Sequence, residues 1–237
     1  MMERIILIET STSLCSAALA EDGVLVGERI SDEPRSHASK TAVFVKELLD
    51  GRGISVADCS AVAVSKGPGS YTGLRVGVST AKGLCFGAGI PLISVGTLDT
   101  LVWQAITGNA LPDGCRYIVP MIDARRMEVY TGVFTPDGRQ VSPTVSSIVT
   151  PDSFSHLLAE GPVLFIGDGA MKCQSVIKHK NAHFIDGIVP LAKWMFPLAE
   201  RSLHLGQTQD VAYFEPFYFK EFVAATPKAP LGGKNSK

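Results

Sequence analysis

Residues 61–87 read Ala-Val-Ala-Val-Ser-Lys-Gly-Pro-Gly-Ser-Tyr-Thr-Gly-Leu-Arg-Val-Gly-Val-Ser-Thr-Ala-Lys-Gly-Leu-Cys-Phe-Gly. The apolar run Ala61–Val64 predicts a buried strand. Gly67-Pro68-Gly69-Ser70 then turns the chain, and a helix is predicted from near Thr72. A strand, a glycine turn and a helix opening form an arrangement whose free backbone N–H groups attract phosphate or carboxylate. The loop is not a P-loop, because Gly-x4-Gly-Lys-Ser/Thr follows from neither glycine. It does not meet Gly-x-Gly-x-x-Gly either, since the third glycine comes one residue late.

The predicted helix is short of charge, with only Arg75 and Lys82 between Gly73 and Leu84. Gly73, Gly77 and Ala81 lie four apart and share one nearly bare face. Each mid-helix glycine costs roughly 1 kcal/mol against alanine, so close backbone approach is the expected gain. The approach is to the protein's own sheet, to another subunit, or to both.

Working towards the N-terminus, Arg4–Glu9 reads as a buried strand ending in an acid, followed by the hydroxyl turn Thr10-Ser11-Thr12-Ser13. Cys15–Ala20 and Val24–Ile30 continue as strands around Glu21-Asp22-Gly23. Such a turn can hold a phosphate while its acid orients a hydrated metal; the alternative is an ordinary polar turn. Ser36-His37-Ala38-Ser39 leads into a helix to about Leu49, with His37 read as a helix-start or packing histidine rather than a catalyst. Its apolar stripe is wider than a one-sided helix needs, so part of it is expected to be covered by another chain.

Towards the C-terminus, Gly89–Val95 reads as a strand and Thr97–Thr107 as a helix, with a boundary in the turn-rich Asn109–Gly114. The opening pattern then restarts. Tyr117–Ile122 is a strand ending in Asp123, Ala124-Arg125-Arg126 is a turn, and Glu128–Phe134 is a second strand leading into the hairpin turn Pro136-Asp137-Gly138. Helices are predicted over 150–160, from Gly167-Asp168-Gly169 through Lys178, and over 190–205, with strands at 162–166 and 182–185. The result is an α/β protein of two similar lobes, residues 1–110 and 111–225, with a loose basic tail at 226–237. A cleft between the lobes would gather the Glu9 turn, the Gly67 loop, the Asp123 turn and the Gly167 loop.

Composition narrows the function. The chain has 237 residues, 46% hydrophobic and 19% charged, which supports a large core. A net charge of −1 gives no general attraction to nucleic acid or acidic membranes. Five dispersed cysteines, with no Cys-x-x-Cys, predict reduced thiols in a cytoplasmic protein. Strand-like sequence by Ile5 is not that of a signal peptide, and no run approaches the roughly 18 apolar residues of a membrane span. His179 and His183 have metal-site spacing but sit where helix end, loop and strand are predicted. Cys85 is expected to be buried rather than reactive. Glu9, Asp99, Asp123 and Asp168 are acids that a cleft could gather, without a spacing that demands it. Arg125 and Arg126 either clamp an anion or pair with Glu128.

Four segments together resemble the TsaB (YeaZ) family, subunits of the bacterial machinery that makes threonylcarbamoyladenosine in tRNA. They are Ile8–Leu19, Lys66–Leu84, Ser94-Val-Gly-Thr-Leu-Asp99 and Asp123-Ala-Arg-Arg-Met-Glu-Val-Tyr130. The resemblance covers residues 4–132 and is most specific over 67–84. It implies the two-lobed actin/hexokinase/Hsp70-like (ASKHA) ATPase fold with duplicated ribonuclease H-like lobes. It also implies a non-catalytic partner of TsaD, whose first-lobe His-x3-His has no counterpart here between the Ser36 helix and the Gly67 loop. The implied heterodimer interface comprises Ala38, Ala42, Val45 and Leu49 of one helix and Gly73, Gly77, Thr80, Ala81 and Leu84 of the next. TsaE joins the complex, which transfers threonylcarbamoyl from threonylcarbamoyl-AMP to N6 of the adenosine 3′ of the anticodon, in tRNAs reading codons that begin with A.

By the same resemblance, Glu9, Thr10, Ser11, Gly67, Gly69, Ser70, Asp123, Gly167 and Gly169 mark a degenerate nucleotide cleft. Glu9 stands where the family usually has Asp, and the extra carbon–carbon bond displaces the carboxylate from a metal-nucleotide position. No metal and no intrinsic cofactor are expected, with ATP or ADP only at an interface of the complex. A homodimer is expected in isolation, tRNA contact only through the complex, and no membrane contact. The alternatives are an ATP-dependent small-molecule kinase or ATPase using Glu9 and Asp123, and a zinc metallopeptidase.

Overall fold

The structure, a computed structural model, describes residues 2–219. The basic tail expected at 226–237 and the end of the aromatic run 211–223 lie outside them. Ten strands form two five-stranded sheets among the described residues. The first contains β1 (Arg4–Glu9), β2 (Cys15–Glu21), β3 (Val24–Ser31), β4 (Ala61–Ser65) and β5 (Leu92–Val95), in the order β3-β2-β1-β4-β5. The second contains β6 (Tyr117–Asp123), β7 (Glu128–Phe134), β8 (Gln140–Ile148), β9 (Val163–Ile166) and β10 (Ala182–Phe184), in the order β10-β9-β6-β7-β8. Read from the other edge, the second order repeats the first strand for strand. In each sheet three antiparallel strands lead into two parallel ones. The restart of the pattern at Tyr117 is therefore a repeated topology.

Alternation along the strands sends side chains to opposite faces of each sheet. On the first sheet Ile6, Ile8, Leu19, Val62 and Val64 pack under α1 (His37–Asp50) and α2 (Tyr71–Ala88). Ile5, Leu7, Ala61, Ala63 and Ile93 face the other way, onto Ala192, Met195 and Ala199. On the second sheet Ile118, Ile122, Phe134, Leu164 and Ile166 pack under α3 (Thr97–Thr107). Val119, Met121, Val129 and Phe165 face α4 (Ser155–Glu160) and α5 (Ala170–Cys173).

The lobes thus exchange covers. Helix α3 precedes residue 110 yet lies on the second sheet. The 3-10 turn Ala192–Met195 and α6 (Phe196–His204) follow it yet lie on the first. A linear division at residue 110 does not describe this packing, because each sheet has two apolar faces and each lobe covers only one from its own segment.

Three helices are shorter than the sequence implied. The Thr150 N–H bonds Ser153 Oγ at 2.9 Å, closing a turn, and Phe154 follows at φ 64, so α4 starts only at Ser155. Helix α5 ends at Cys173, and a 3-10 turn precedes α6, which carries Pro197 in its first turn. Among the described residues no helix is long and apolar enough to cross a membrane.

Candidate functional site

The Gly67 loop and α2 are built around the β1–β2 turn. Ser70 caps α2, its Oγ accepting from Gly73 N–H at 3.2 Å, and Gly89 ends it at φ 67. A Cβ on Gly73 would overlap the Thr10 carbonyl oxygen, one on Gly77 the Thr10 hydroxyl, and one on Gly69 the Ser11 carbonyl oxygen. The glycines therefore serve close approach to the protein's own turn. This corrects the inferred interface: Val45, Leu49, Gly73, Gly77 and Ala81 are buried in this chain and present no surface to a partner. Ala38 and Ala42 are exposed, and Thr80 and Leu84 are half-buried. The open surface beside them is Gly83 and Gly87, where a Cβ would meet nothing within 4 Å, with Phe86 at 83% exposure. The four-residue spacing marked a small-residue face but could not say which neighbour it met.

The same contacts close the first half of the inferred nucleotide cleft. Ser70 N–H, a donor that would have faced a phosphate, donates to the Ser11 carbonyl at 2.6 Å. Ser11 N–H donates to Glu9 Oε1, also at 2.6 Å. Glu9, Thr10 and Ser11 are all buried, so an anion has no route to them. Burial pushes the Glu9 carboxyl above its ordinary range, against the lowering effect of the Ser11 N–H hydrogen bond. Glu9 Oε2, Thr10 Oγ1 and Ser11 Oγ have no hydrogen-bond partner among the described residues. A metal-nucleotide does not fit this turn: the acid is sunk beneath it and the loop's donor is spent. His37 Nε2 lies 3.0 Å from the Thr12 carbonyl and 3.2 Å from that of Leu14, joining the turn to the start of α1.

The second half is arranged differently. Asp123 Oδ1 accepts from Arg125 N–H at 2.8 Å and pairs with Lys172, whose Nζ also donates to the Glu128 carbonyl at 2.7 Å. Asp168 Oδ1 accepts from Asp123 N–H at 2.9 Å. Burial raises the Asp123 carboxyl, but Lys172 and the Arg125 N–H outweigh it and hold the group below its usual range. Asp168 is moved up, chiefly by burial. Gly167, at φ 98, lies where a Cβ would overlap the Met121 carbonyl, and Gly169 N–H donates to that carbonyl at 3.0 Å. The Gly167 loop is thus clamped on the end of β6. Lys172, which completes this arrangement, was not singled out in the sequence because nothing local links it to an acid 49 residues earlier.

The other candidates disperse. Asp99 folds over Gly96 and, with Lys66 and Gly67 of the glycine loop, lines a cavity of about 740 Å³ closed on the other side by Gln140, Tyr213 and Phe217. Burial pushes its carboxyl up, against the charge of Lys66. His179 lies in a turn, its Nδ1 accepting from Asn181 N–H at 3.2 Å, and His183 is in β10. Among the described residues no three of His, Cys, Asp and Glu are grouped to hold a metal. Cys85 is buried, with its thiol pushed up to about 11. Arg125 and Arg126 are exposed and have no carboxylate within 4 Å among the described residues.

Comparison with known proteins gives this geometry a context. The family model described as TsaD, tRNA N6-adenosine threonylcarbamoyltransferase, matches residues 29–228. The tRNA threonylcarbamoyladenosine biosynthesis protein TsaB of Escherichia coli strain K12 is 32% identical over 227 residues, covering 93% of this chain and 96% of that protein. The solved structure of YeaZ from Pseudomonas aeruginosa superposes with a TM-score of 0.77 at 24% identity, covering 91% of this chain and 99% of that one. An inorganic polyphosphate/ATP-glucomannokinase from Arthrobacter sp. strain KM shares the fold at a TM-score of 0.51 and 12% identity, covering 86% and 99%. The architecture is the two-lobed actin/hexokinase/Hsp70-like fold.

Proposed function

The chain belongs to the TsaB (YeaZ) family of tRNA threonylcarbamoyladenosine biosynthesis proteins, and on that premise we propose that it is a non-catalytic partner subunit of TsaD. In this reading TsaD performs the transfer of threonylcarbamoyl from threonylcarbamoyl-AMP to N6 of the adenosine 3′ of the anticodon, in tRNAs reading codons that begin with A. This chain supplies a surface that holds TsaD in its working form, and TsaE joins the pair. In the same reading ATP or ADP binds at an interface of the complex. In isolation a second copy of the chain occupies the partner face.

The observation that carries the reading is the fate of the two acids. Glu9 is buried under a closed turn, and Asp123 is paired with Lys172. Phosphoryl transfer depends on positioning and on stabilising developing charge, commonly through metal-bound oxygens. Burial withdraws Glu9 from that purpose, and Lys172 and the Arg125 N–H occupy one oxygen of Asp123. The surface of α1 and α2 around Ala42, Gly83 and Phe86 is instead open, and an exposed aromatic beside small residues favours a protein contact.

The test is incorporation of labelled threonine into tRNA with TsaD, TsaE and the threonylcarbamoyl-AMP synthase supplied. Activity that needs both this chain and TsaD is the expected result. Activity without TsaD would make this chain the enzyme, and activity without this chain would remove its role.

A further inference from the structure

The β6–β7 turn contains two successive arginines in the left-handed region, Arg125 at φ 74 and Arg126 at φ 52. Among the described residues this is the only place where two adjacent non-glycine residues do so. The conformation suits glycine or asparagine and opposes a long side chain bearing a Cβ. It is held by its surroundings: Arg125 N–H bonds Asp123, Glu128 N–H bonds the Arg125 carbonyl at 3.1 Å, and Ala124 N–H bonds the Glu128 carbonyl at 3.1 Å. Asp123 is fixed in turn by Lys172 and Asp168. Strain kept in place by such a network, rather than relieved by glycine, is a mark of a functional position. What the network presents is two adjacent guanidiniums, both exposed and without a carboxylate within 4 Å among the described residues.

We infer that Arg125 and Arg126 contact the phosphodiester backbone of RNA, an assignment that rests on the tRNA-complex reading above. Guanidinium forks match phosphate oxygens in pairs, which ammonium groups do not. The turn lines neither the Asp99 cavity nor a smaller one of about 310 Å³ beside Arg75 and Lys82. Surface arginines commonly contact the phosphate oxygens of a nucleic-acid backbone, contacts that fix register and orientation. The net charge of −1 makes this a local contribution, added to whatever the partner supplies. It fixes the position of the RNA and reads no base.

The test measures tRNA affinity of the assembled complex over a series of salt concentrations. The wild type is compared with the double variant Arg125→Gly/Arg126→Gly, which removes both charges and suits the left-handed backbone. The expected result is a salt slope of log K shallower by about 1 per arginine, with assembly unchanged and Tm not lowered. Arg125→Lys/Arg126→Lys keeps most of the slope. An unchanged slope in an assembled, RNA-binding complex overturns the arginine assignment and leaves the subunit reading intact. Failure of the wild type to assemble, or of the complex to bind tRNA, overturns both. ATP binding to the isolated chain that is lost in the glycine variant would move the arginines to a free nucleotide and overturn the RNA assignment.

Discussion

The two lobes begin alike and finish their turns by different physics. In both, a strand ends in an acid, a short turn follows, and a glycine loop presses on the strand end. In the first lobe the closure is made by backbone: carbonyls of Thr10 and Ser11 lie against Gly73 and Gly69, and Ser70 N–H bonds Ser11. Its acid, Glu9, is sealed beneath without a countercharge. In the second lobe the closure is made by charge, with Lys172 against a half-exposed Asp123. The same strand–acid–turn unit is thus secured in two ways, by packing in one lobe and by ion pairing in the other. The two halves should respond to different insults.

The largest expected effect belongs to the packed half. Gly73→Ala should cost about 2–3 kcal/mol of stability in denaturant unfolding, because its Cβ meets a backbone oxygen that cannot swing aside. Gly83→Ala in the same helix meets nothing within 4 Å and should stabilise by about 0.5–1 kcal/mol. Equal responses at the two glycines would end the argument for backbone closure. Next comes the outer surface of the same lobe. Phe86→Asp, at 83% exposure, should weaken TsaD binding by about 2 kcal/mol in a calorimetric titration while unfolding changes by less than about 0.5 kcal/mol. Ile148→Asp, on the exposed edge of the second lobe, should leave that binding unchanged.

Two smaller effects separate the acids by pH. The Glu9 carboxyl is raised in the folded state, so its contribution is fully present below the unfolded value near 4.5 and is lost as pH rises towards the folded one. Glu9→Gln should therefore match the wild type in acid and have a higher Tm at neutral pH. A gap that widens in acid instead would contradict a carboxyl raised by burial. Asp123 has the opposite sign, because its carboxyl is depressed. Its stabilisation is present above the usual Asp value and is lost as pH falls through the folded one. Lys172→Met should remove that acid-side dependence at a cost of a few tenths to about 1 kcal/mol, reduced by solvent because Asp123 is 47% exposed.

The lobe repeat was legible in the sequence because it is local: strand, acid, turn and strand recur within short windows at Arg4 and Tyr117. The glycine face of α2 was legible as a demand for close approach, but not its direction, which depends on the β1–β2 turn more than 60 residues earlier in the chain. Burial of Glu9 could be suspected from its apolar strand. The Lys172–Asp123 pair could not, since the partners meet only through sheet topology. Strand β8 showed only as the far side of a hairpin turn, because its edge position leaves it polar and broken by Pro143.

The exchange of covers between lobes sets the order in which the protein can be completed. The inner face of the first sheet waits for Ala192, Met195 and Ala199, among the last described segments to leave the ribosome. Until they arrive, Ile5, Leu7 and Ile93 form an uncovered apolar surface on the nascent chain. Helix α3 similarly waits for a sheet that begins only at Tyr117. Neither half can be excised as an autonomous unit, and premature termination before residue 190 leaves a nascent protein whose first-made sheet stays sticky, a natural client for chaperones.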